Sequence, residues 1–426
     1  IVTFATIKAK QAIRDAARVL GLPFSSGDRV AKLMPPMILG NTATISECLS
    51  LDEENTSGYS KEFYSASEEL RKQYKNDEEA KQIIDIALGL EGLRRQDGIH
   101  AAAIVISPDT ITKFLPIQQK GSNAEIVTQY EMHTVEQLGL LKMDFLGLRN
   151  LSIVDRTLEL IGSESLDIDN LKLDDEKTFK LFAEGKMTGV FQLESRVAQS
   201  TSRSLKPKRF EDIVALVALI RPGPLGAGMH NEFADRANNR KEIEYLHSDL
   251  ESILNETYGV ILYQEQVMQI AEKIAGFNLQ EADNLRVAMG KKIPKVMEEQ
   301  RKKFTDGAVS NNYSEQFAIE LFDQIAYFAG YGFNKSHSVP YALLAYQTAY
   351  LKANYPAEYI AACLTAVKRD KDRTAIFLSE ARDMGVKVST PDVNLSSSDF
   401  TVNDNEILFG LSAVRNVGDI TADKIV

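Results

Sequence analysis

An α+β fold dominated by helices is what this sequence predicts, on three observations. Helical apolar spacing runs from Leu151 to about Asp383. A strand-rich island between Ala101 and Leu148 separates that stretch from an earlier helical one. The length, 426 residues, exceeds what one compact core accommodates, so two to four domains are expected.

Ile1–Phe4 reads as a strand or strand end. Ile7, Ala12, Ile13, Ala16, Ala17 and Leu20 then recur at helical spacing, and Gly21 closes the helix. Pro35-Pro36, Gly40 and an acidic stretch point to a polar, helical subdomain reaching about Gly92. Ala101–Ser107 is a small-residue and β-branched run ended by Pro108-Asp109, Ile126–Tyr130 alternates, and Leu138–Leu148 holds a further extended apolar stretch. Beyond Leu151, loops are expected at Gly185–Gly189, Arg221–Gly228 and Gly330–Ser338, with a helix near Tyr341. Tyr341–Val367 reads as a buried helix pair, and Pro391–Val426 as alternating residues followed by a short helix–turn–helix. Ile1 opens without an initiator methionine and Val426 stops inside an apolar helical pattern, so the chain reads as an internal piece of a longer one.

Hydrophobic residues make up 44 % and charged residues 26 %, a soluble globular profile. Two distant cysteines, Cys48 and Cys363, give neither a disulfide framework nor metal-ligand spacing, which fits a reducing cytoplasm. No apolar run approaches the roughly 18 residues of a membrane span. A net charge of −11 excludes a uniformly basic nucleic-acid binder. It averages over opposites, however. Glu47–Glu79 holds ten acidic and four basic residues, Arg196–Phe210 five basic and none acidic, and Arg286–Phe304 seven basic against two acidic. Each run alone reads as a solvated helix face, but the basic ones leave local phosphate binding open.

Four segments can carry chemistry. In Lys142-Met143-Asp144-Phe145-Leu146-Gly147-Leu148 a carboxylate stands within an apolar strand, where it must be paired, protonated or bound to a cation. It either caps the next helix or binds Mg²⁺, with Lys142 balancing phosphate charge. Arg221-Pro222-Gly223-Pro224 fixes a rigid turn after an apolar helix, and Arg221 suits either the last carbonyls of that helix or a phosphate. Met289-Gly290-Lys291-Lys292 sits at a helix end, three residues after Arg286. Phe333-Asn334-Lys335-Ser336-His337-Ser338 follows a glycine-containing loop and leads into a helix, which makes either an anion cradle or a solvated cap. The GxxxxGK[ST] spacing of a Walker loop is absent, and the five histidines are dispersed without metal-ligand spacing.

Together these segments resemble the bacterial family C DNA polymerases over essentially the whole chain. The resemblance lies in long ordered strings: IVTFATIKAKQAIRDAARVLG at the start, HAAAIVIS from His100, KMDFLGL from Lys142, GVFQLES from Gly189 and ALIRPGPL from Ala218. TYGVILYQEQVMQIA from Thr257, AMGKKIPKVMEEQRKKF from Ala288, GYGFNKSHSVPYALLAYQTAYLKANYPAEY from Gly330 and PDVNLSSSDFTV from Pro391 follow.

The resemblance implies a right-hand polymerase with a polymerase beta-like palm. On it, 1–21 ends a first palm piece, 22–95 is a helical thumb, 96–150 returns to the palm and 151–390 forms the fingers. Residues 391–426 begin a DNA-contacting module in which Asn416, Val417 and Gly418 form the turn of a helix–hairpin–helix, Asn416 standing where the motif has its first glycine. The family's palm uses three aspartates, of which Asp144 is the one that can be carried over. The implied reaction is transfer of a nucleotide from a dNTP to a primer 3′-hydroxyl with two Mg²⁺ ions. Arg221, Arg286, Lys291, Lys292, Asn334, Lys335, Ser336 and His337 are expected at the nucleotide, and Lys142 near the primer terminus. Implied partners are primer–template DNA, dNTPs, and a sliding clamp and other replicase subunits reached through regions this chain lacks. With one aspartate of three, the chain alone is expected to be inactive. Two alternatives stand beside this reading: an error-prone family C paralogue, against which PDVNLSSSDFTV speaks, and a non-enzymatic nucleic-acid-binding module, which leaves Asp144 and the 330–338 loop unexplained.

Overall fold

The computed structural model describes residues 1–37, 42–50, 58–119, 121, 124–162, 166–291, 294–329 and 332–426. The chain divides into two compact units, Ile1–Gly147 and Leu148–Val426.

The first unit opens with strand β1 (Val2–Thr6) and passes through the helices α1 (Ala9–Val19), α2 (Phe24–Lys32), α3 (Ile45–Leu49), α4 (Gly58–Ala66), α5 (Glu68–Asn76) and α6 (Glu78–Leu90). The helical spacing read from Ile7 to Leu20 becomes the buried face of α1, where Ala12, Ile13 and Ala16 pack with Ile45, Phe63, Leu70, Ile83 and Ile84. Strand β2 (Arg94–Ile99) returns antiparallel to β1, pairing Ile99 with Val2. Its Arg-Arg-Gln-Asp-Gly-Ile sequence has no apolar alternation, and its side chains are largely exposed, so the strand-rich part begins earlier than residue 101.

Strands β3 (Ala103–Ile106), β4 (Ile117–Gln119) and β5 (Ile126–Thr128), helix α7 (Met132–Gln137) and β6 (Leu141–Asp144) complete this unit. β3 pairs antiparallel with β6, setting Ala103 opposite Asp144 and Val105 opposite Lys142. The apolar run around Asp144 is not a buried strand. Ile104, Ile106, Leu141, Met143, Phe145 and Leu146 are all exposed, and among the described residues the local core is Leu115, Val135 and Leu140 with a few partly buried neighbours.

The second unit contains α8 (Arg149–Ile161), α9 (Glu176–Glu184), α10 (Arg196–Leu205), α11 (Phe210–Leu219), α12 (Pro222–Gly226), α13 (Met229–Ala237) and α14 (Glu251–Leu254). It continues with α15 (Gln264–Ala275), α16 (Leu279–Lys291), α17 (Pro294–Ser310), α18 (Glu315–Ala329), α19 (Lys335–Asn354), α20 (Pro356–Val367) and α21 (Lys371–Asp383). Helix α11, buried from Asp212 to Leu219, lies against α19 in one core with Phe182, Phe233, Tyr263 and Tyr346. Helices α15 to α18 enclose a second core around Ile270, Leu285, Phe304 and Phe322. There α17 crosses α15 so closely that a Cβ on Gly307 would lie 2.2 Å from the Ala275 carbonyl oxygen. A third core joins α8, α20 and α21 to a small sheet of β7 (Lys387–Val388), β8 (Thr401–Asn403) and β9 (Glu406–Leu408), in the order β7-β9-β8. Helix α22 (Asp419–Ile425) ends the chain.

The buried helix pair expected over 341–367 is present as α19 and α20, but α19 starts at Lys335, not near Tyr341. Pro340 lies inside it, and a proline in a sequence reads more readily as a helix start than as an interior residue. Residues 222–226, expected as a rigid turn, form the one-turn helix α12 with proline at its first position and Arg221 as N-cap residue. The first arm of the C-terminal helix–turn–helix is only a 3₁₀ turn, Leu411–Ala413. Among the described residues no helix is long and apolar enough to cross a membrane.

Candidate functional site

The second unit assembles a cationic, aromatic cluster around Phe333. The extended residues before α19 lie along the start of α15: Phe333 donates its N–H to the Leu262 carbonyl at 3.1 Å, and Gln264 donates its own to the Phe333 carbonyl at 2.9 Å. The Gln264 side chain donates to the Gly332 carbonyl at 3.2 Å and accepts from Arg286 Nη1 at 3.4 Å. This one amide therefore connects α16 to the residues just before α19.

A guanidinium and an imidazole ring meet Phe333. The Arg221 guanidinium lies 3.5 Å from its ring centroid, and the His337 ring stands edge-on at 5.4 Å. His337 also lies 4.3 Å from the Tyr341 ring one turn further along α19. Arg221 is half-buried and, among the described residues, has no carboxylate or carbonyl partner for its guanidinium. Burial pushes its pKa below the ordinary arginine value, with the nearby Tyr341 hydroxyl opposing. The other cations are matched. Lys335 Nζ lies 2.6 Å from Glu256 Oε2, and Arg286 pairs with Asp283 at 2.8 Å.

The start of α19 is satisfied from within the protein. Asn334 caps it, its Oδ1 accepting the His337 N–H at 2.9 Å, and both carboxylate oxygens of Glu265 accept the Lys335 N–H at 3.0 Å. An anion cradle expected here already contains a carboxylate, which takes up the positive end of the helix dipole. Lys335, Ser336 and His337 are first-turn residues, and the backbone amides of Lys335 and His337 are already taken by Glu265 and Asn334.

Arg221, Arg286, Asn334, Lys335 and His337 thus come together through direct contact or through Gln264, although more than a hundred residues separate the first from the last. Ser336 follows in the same turn and is exposed. Lys291 ends α16, but nothing is described of its side chain, and Lys292 lies outside the described residues. Sequence reasoning missed Glu256, Gln264, Glu265 and the stacking role of Phe333. The Gln-Glu-Gln at 264–266, three polar residues directly after an apolar run, was the available signal.

In the first unit Asp144 ends β6. Its side chain is 41 % exposed and its Oδ2 lies 2.7 Å from Lys142 Nζ. Among the described residues no group of three or more histidine, cysteine or acidic side chains is placed to hold a metal ion. Asp144 alone fits as one ligand of a cation, not as a complete set.

At the C-terminus Asn416 adopts a left-handed φ of 67°, a conformation that asparagine tolerates. Val417 donates to the Val414 carbonyl at 3.0 Å, and Gly418 is the N-cap residue of α22. The hairpin turn is therefore formed, with Asn416 at its tight position.

Comparison with known proteins gives three family matches. Residues 1–147 match the bacterial DNA polymerase III alpha NTPase domain, 150–312 the bacterial DNA polymerase III alpha subunit finger domain, and 385–426 a helix-hairpin-helix motif. The chain is 44 % identical over 439 residues to DNA polymerase III subunit alpha of Escherichia coli K12, covering 100 % of this chain and 36 % of that protein. It is 43 % identical over 427 residues to the protein of that name from Mycobacterium tuberculosis H37Rv, with 98 % and 35 % covered. With the one from Thermus aquaticus it shares 44 % over 433 residues, covering 100 % and 34 %. The chain spans about a third of the length of these relatives.

Proposed function

On the premise that this chain belongs to the bacterial DNA polymerase III alpha family, we propose that it forms the fingers and part of the palm of a template-directed DNA polymerase, and that the Phe333 cluster receives the triphosphate of an incoming dNTP. Within that reading 1–21 and 96–150 are palm, 22–95 thumb, 151–390 fingers, and 391–426 the start of a DNA-binding module.

One observation carries the nucleotide site: Arg221, half-buried on Phe333 with no anionic partner among the described residues. Keeping a guanidinium partly desolvated and unpaired costs free energy that an arriving anion returns. Its planar fork matches two phosphate oxygens, and the Phe333 ring holds that plane in one orientation. Lys335 donates one N–H to Glu256 and keeps the others for phosphate. Arg286 adds charge from α16, and its ion pair with Asp283 holds it upright. His337, exposed beside Phe333 and Tyr341, offers a ring face or an N–H to the sugar or base.

In the reaction the primer 3′-hydroxyl attacks the α-phosphate in line and pyrophosphate departs. Cations fixed before the substrate arrives stabilise the charge that accumulates on the departing phosphates, without reorganisation at that moment. Asp144 would hold divalent metal, Mg²⁺ in the family, and the metal supplies activation of the hydroxyl and neutralisation of phosphate charge. Lys142 pairs with the Asp144 carboxylate at 2.7 Å at the end of β6. One carboxylate does not fix two cations, so these 426 residues alone are inactive. Template and primer are held through backbone phosphates, and the clamp and other replicase subunits bind outside this chain.

The test uses a full-length polymerase carrying this chain. Arg221→Ala should lower kcat/KM for dNTP by roughly 10- to 100-fold, with primer–template affinity and circular dichroism unchanged. Unaltered kcat/KM would remove the nucleotide site from this cluster.

A further inference from the structure

Lys368 and Arg369, directly after α20, lie outside the helix–hairpin–helix match yet contact residues on both sides of its turn. Lys368 is the half-buried member of the two. Its Nζ lies 2.7 Å from Asp399 Oδ1, 2.6 Å from Asp419 Oδ1 and 3.0 Å from Ser412 Oγ. One ammonium thus ties together the loop before β8, the 3₁₀ turn that forms the first arm, and the first residue of α22. Arg369 takes the other carboxylate oxygen of Asp419, and its side chain is 82 % exposed.

Asp419 immediately follows Gly418, the end of the turn. A bare carboxylate there would repel a phosphate approaching the turn amides, at a separation where two like charges interact strongly. Lys368 and Arg369 cancel the two carboxylates, Asp399 and Asp419, one for one. Among the described residues one of the guanidinium's five N–H donors is engaged, so Arg369 can add a bond to phosphate without leaving Asp419.

We propose that Arg369 is a DNA-phosphate contact of the hairpin, held at the turn by Asp419, with Lys368 as the positioning residue beneath. This rests on the DNA-binding reading of the hairpin. The occupant is duplex nucleic acid recognised by its backbone charge, so the effect shows in the ionic-strength dependence and not in sequence preference.

The experiment measures binding of a fluorescent primer–template duplex to a full-length polymerase carrying this chain, between 50 and 200 mM salt. Arg369→Ala is a surface change that leaves the fold intact. It should weaken binding about three- to tenfold at the lowest salt and flatten the slope of log K against log salt by about one. Arg369→Lys should keep most of the slope. In parallel, Asn416→Asp with Gly418→Asp places charge on the turn itself. If the turn variant weakens binding and Arg369→Ala leaves the slope unchanged, the Arg369 contact is wrong and the hairpin reading survives. If the turn variant binds as before, the hairpin reading fails and Arg369 goes with it.

Discussion

Both carboxylate oxygens of Glu265 accept the backbone N–H of Lys335, each at 3.0 Å, across seventy residues of sequence. The first turn of α19 is therefore built by a distant acidic residue as much as by its own cap, Asn334. Glu265→Ala should lower stability by about 1 kcal/mol, and Asn334→Ala by a similar amount. The two substitutions act on one helix end, so their effects should not add. Thermal unfolding of the two single variants and the double variant measures the coupling. Strict additivity would show that the two caps are independent.

Lys352 is fully buried, and its ammonium reaches Glu380 at 2.7 Å and the carbonyls of Lys186 and Thr188 at 2.7 and 2.9 Å. Burial pushes its pKa down, with Glu380 opposing. Lys352→Met strands a carboxylate and two carbonyls and should cost about 3–5 kcal/mol. Lys352→Met with Glu380→Leu should recover a large part of that loss. Denaturant titration gives both values, and equal losses in the single and double variants would contradict the pairing.

Cys363 and Cys48 are free and buried, and burial pushes their thiols up to about 12 and about 11. Their unfolded counterparts titrate near 8.5. Since the folded pKa is the higher one, each thiol's contribution is complete below about pH 8.5 and is lost as pH rises toward the folded value. At pH 10 the loss is on the order of 2 kcal/mol per thiol. The melting temperature should therefore fall between pH 8 and 10, and less steeply in Cys363→Ala. At pH 8, iodoacetamide should label both cysteines only after unfolding.

If Asp144 is a metal ligand, its substitution should separate function from stability. Its pair with Lys142 is exposed on the carboxylate side, so Asp144→Asn should change unfolding free energy by less than about 1 kcal/mol. In a full-length polymerase the same substitution should abolish primer extension. A large loss of stability without loss of extension would make Asp144 a structural residue.

Most helices were legible in the sequence because their apolar faces repeat at 3.6 residues and their cores are local. The buried pair α19–α20 is an example. What was not legible depends on contacts distant in sequence. Strand β2 has a polar sequence and exists because β1 supplies its hydrogen bonds. The start of α19 was displaced by Pro340, which in the sequence looks like an opening and in the fold is an interior residue secured by Asn334 and Glu265. The cations of the candidate site stand out as residue types, but which of them is unpaired does not. Glu256 and Asp283 neutralise Lys335 and Arg286, while among the described residues Arg221 meets an aromatic face and no carboxylate, and that difference arises from packing.

Pro340 also gives α19 unequal stiffness. A helix of 20 residues is a rod about 30 Å long, and from Ala342 to Lys352 most of its side chains are buried, with Lys352 bolted to α21. Pro340 has no N–H to offer the Ser336 carbonyl, so one rung is missing between the first turn and that shaft. The softest joint of the rod thus falls between the turn that carries Lys335 and His337 and the part embedded in the core. Bending there takes up a movement at the tip without disturbing the packing behind it, as a wrist moves while the forearm stays still.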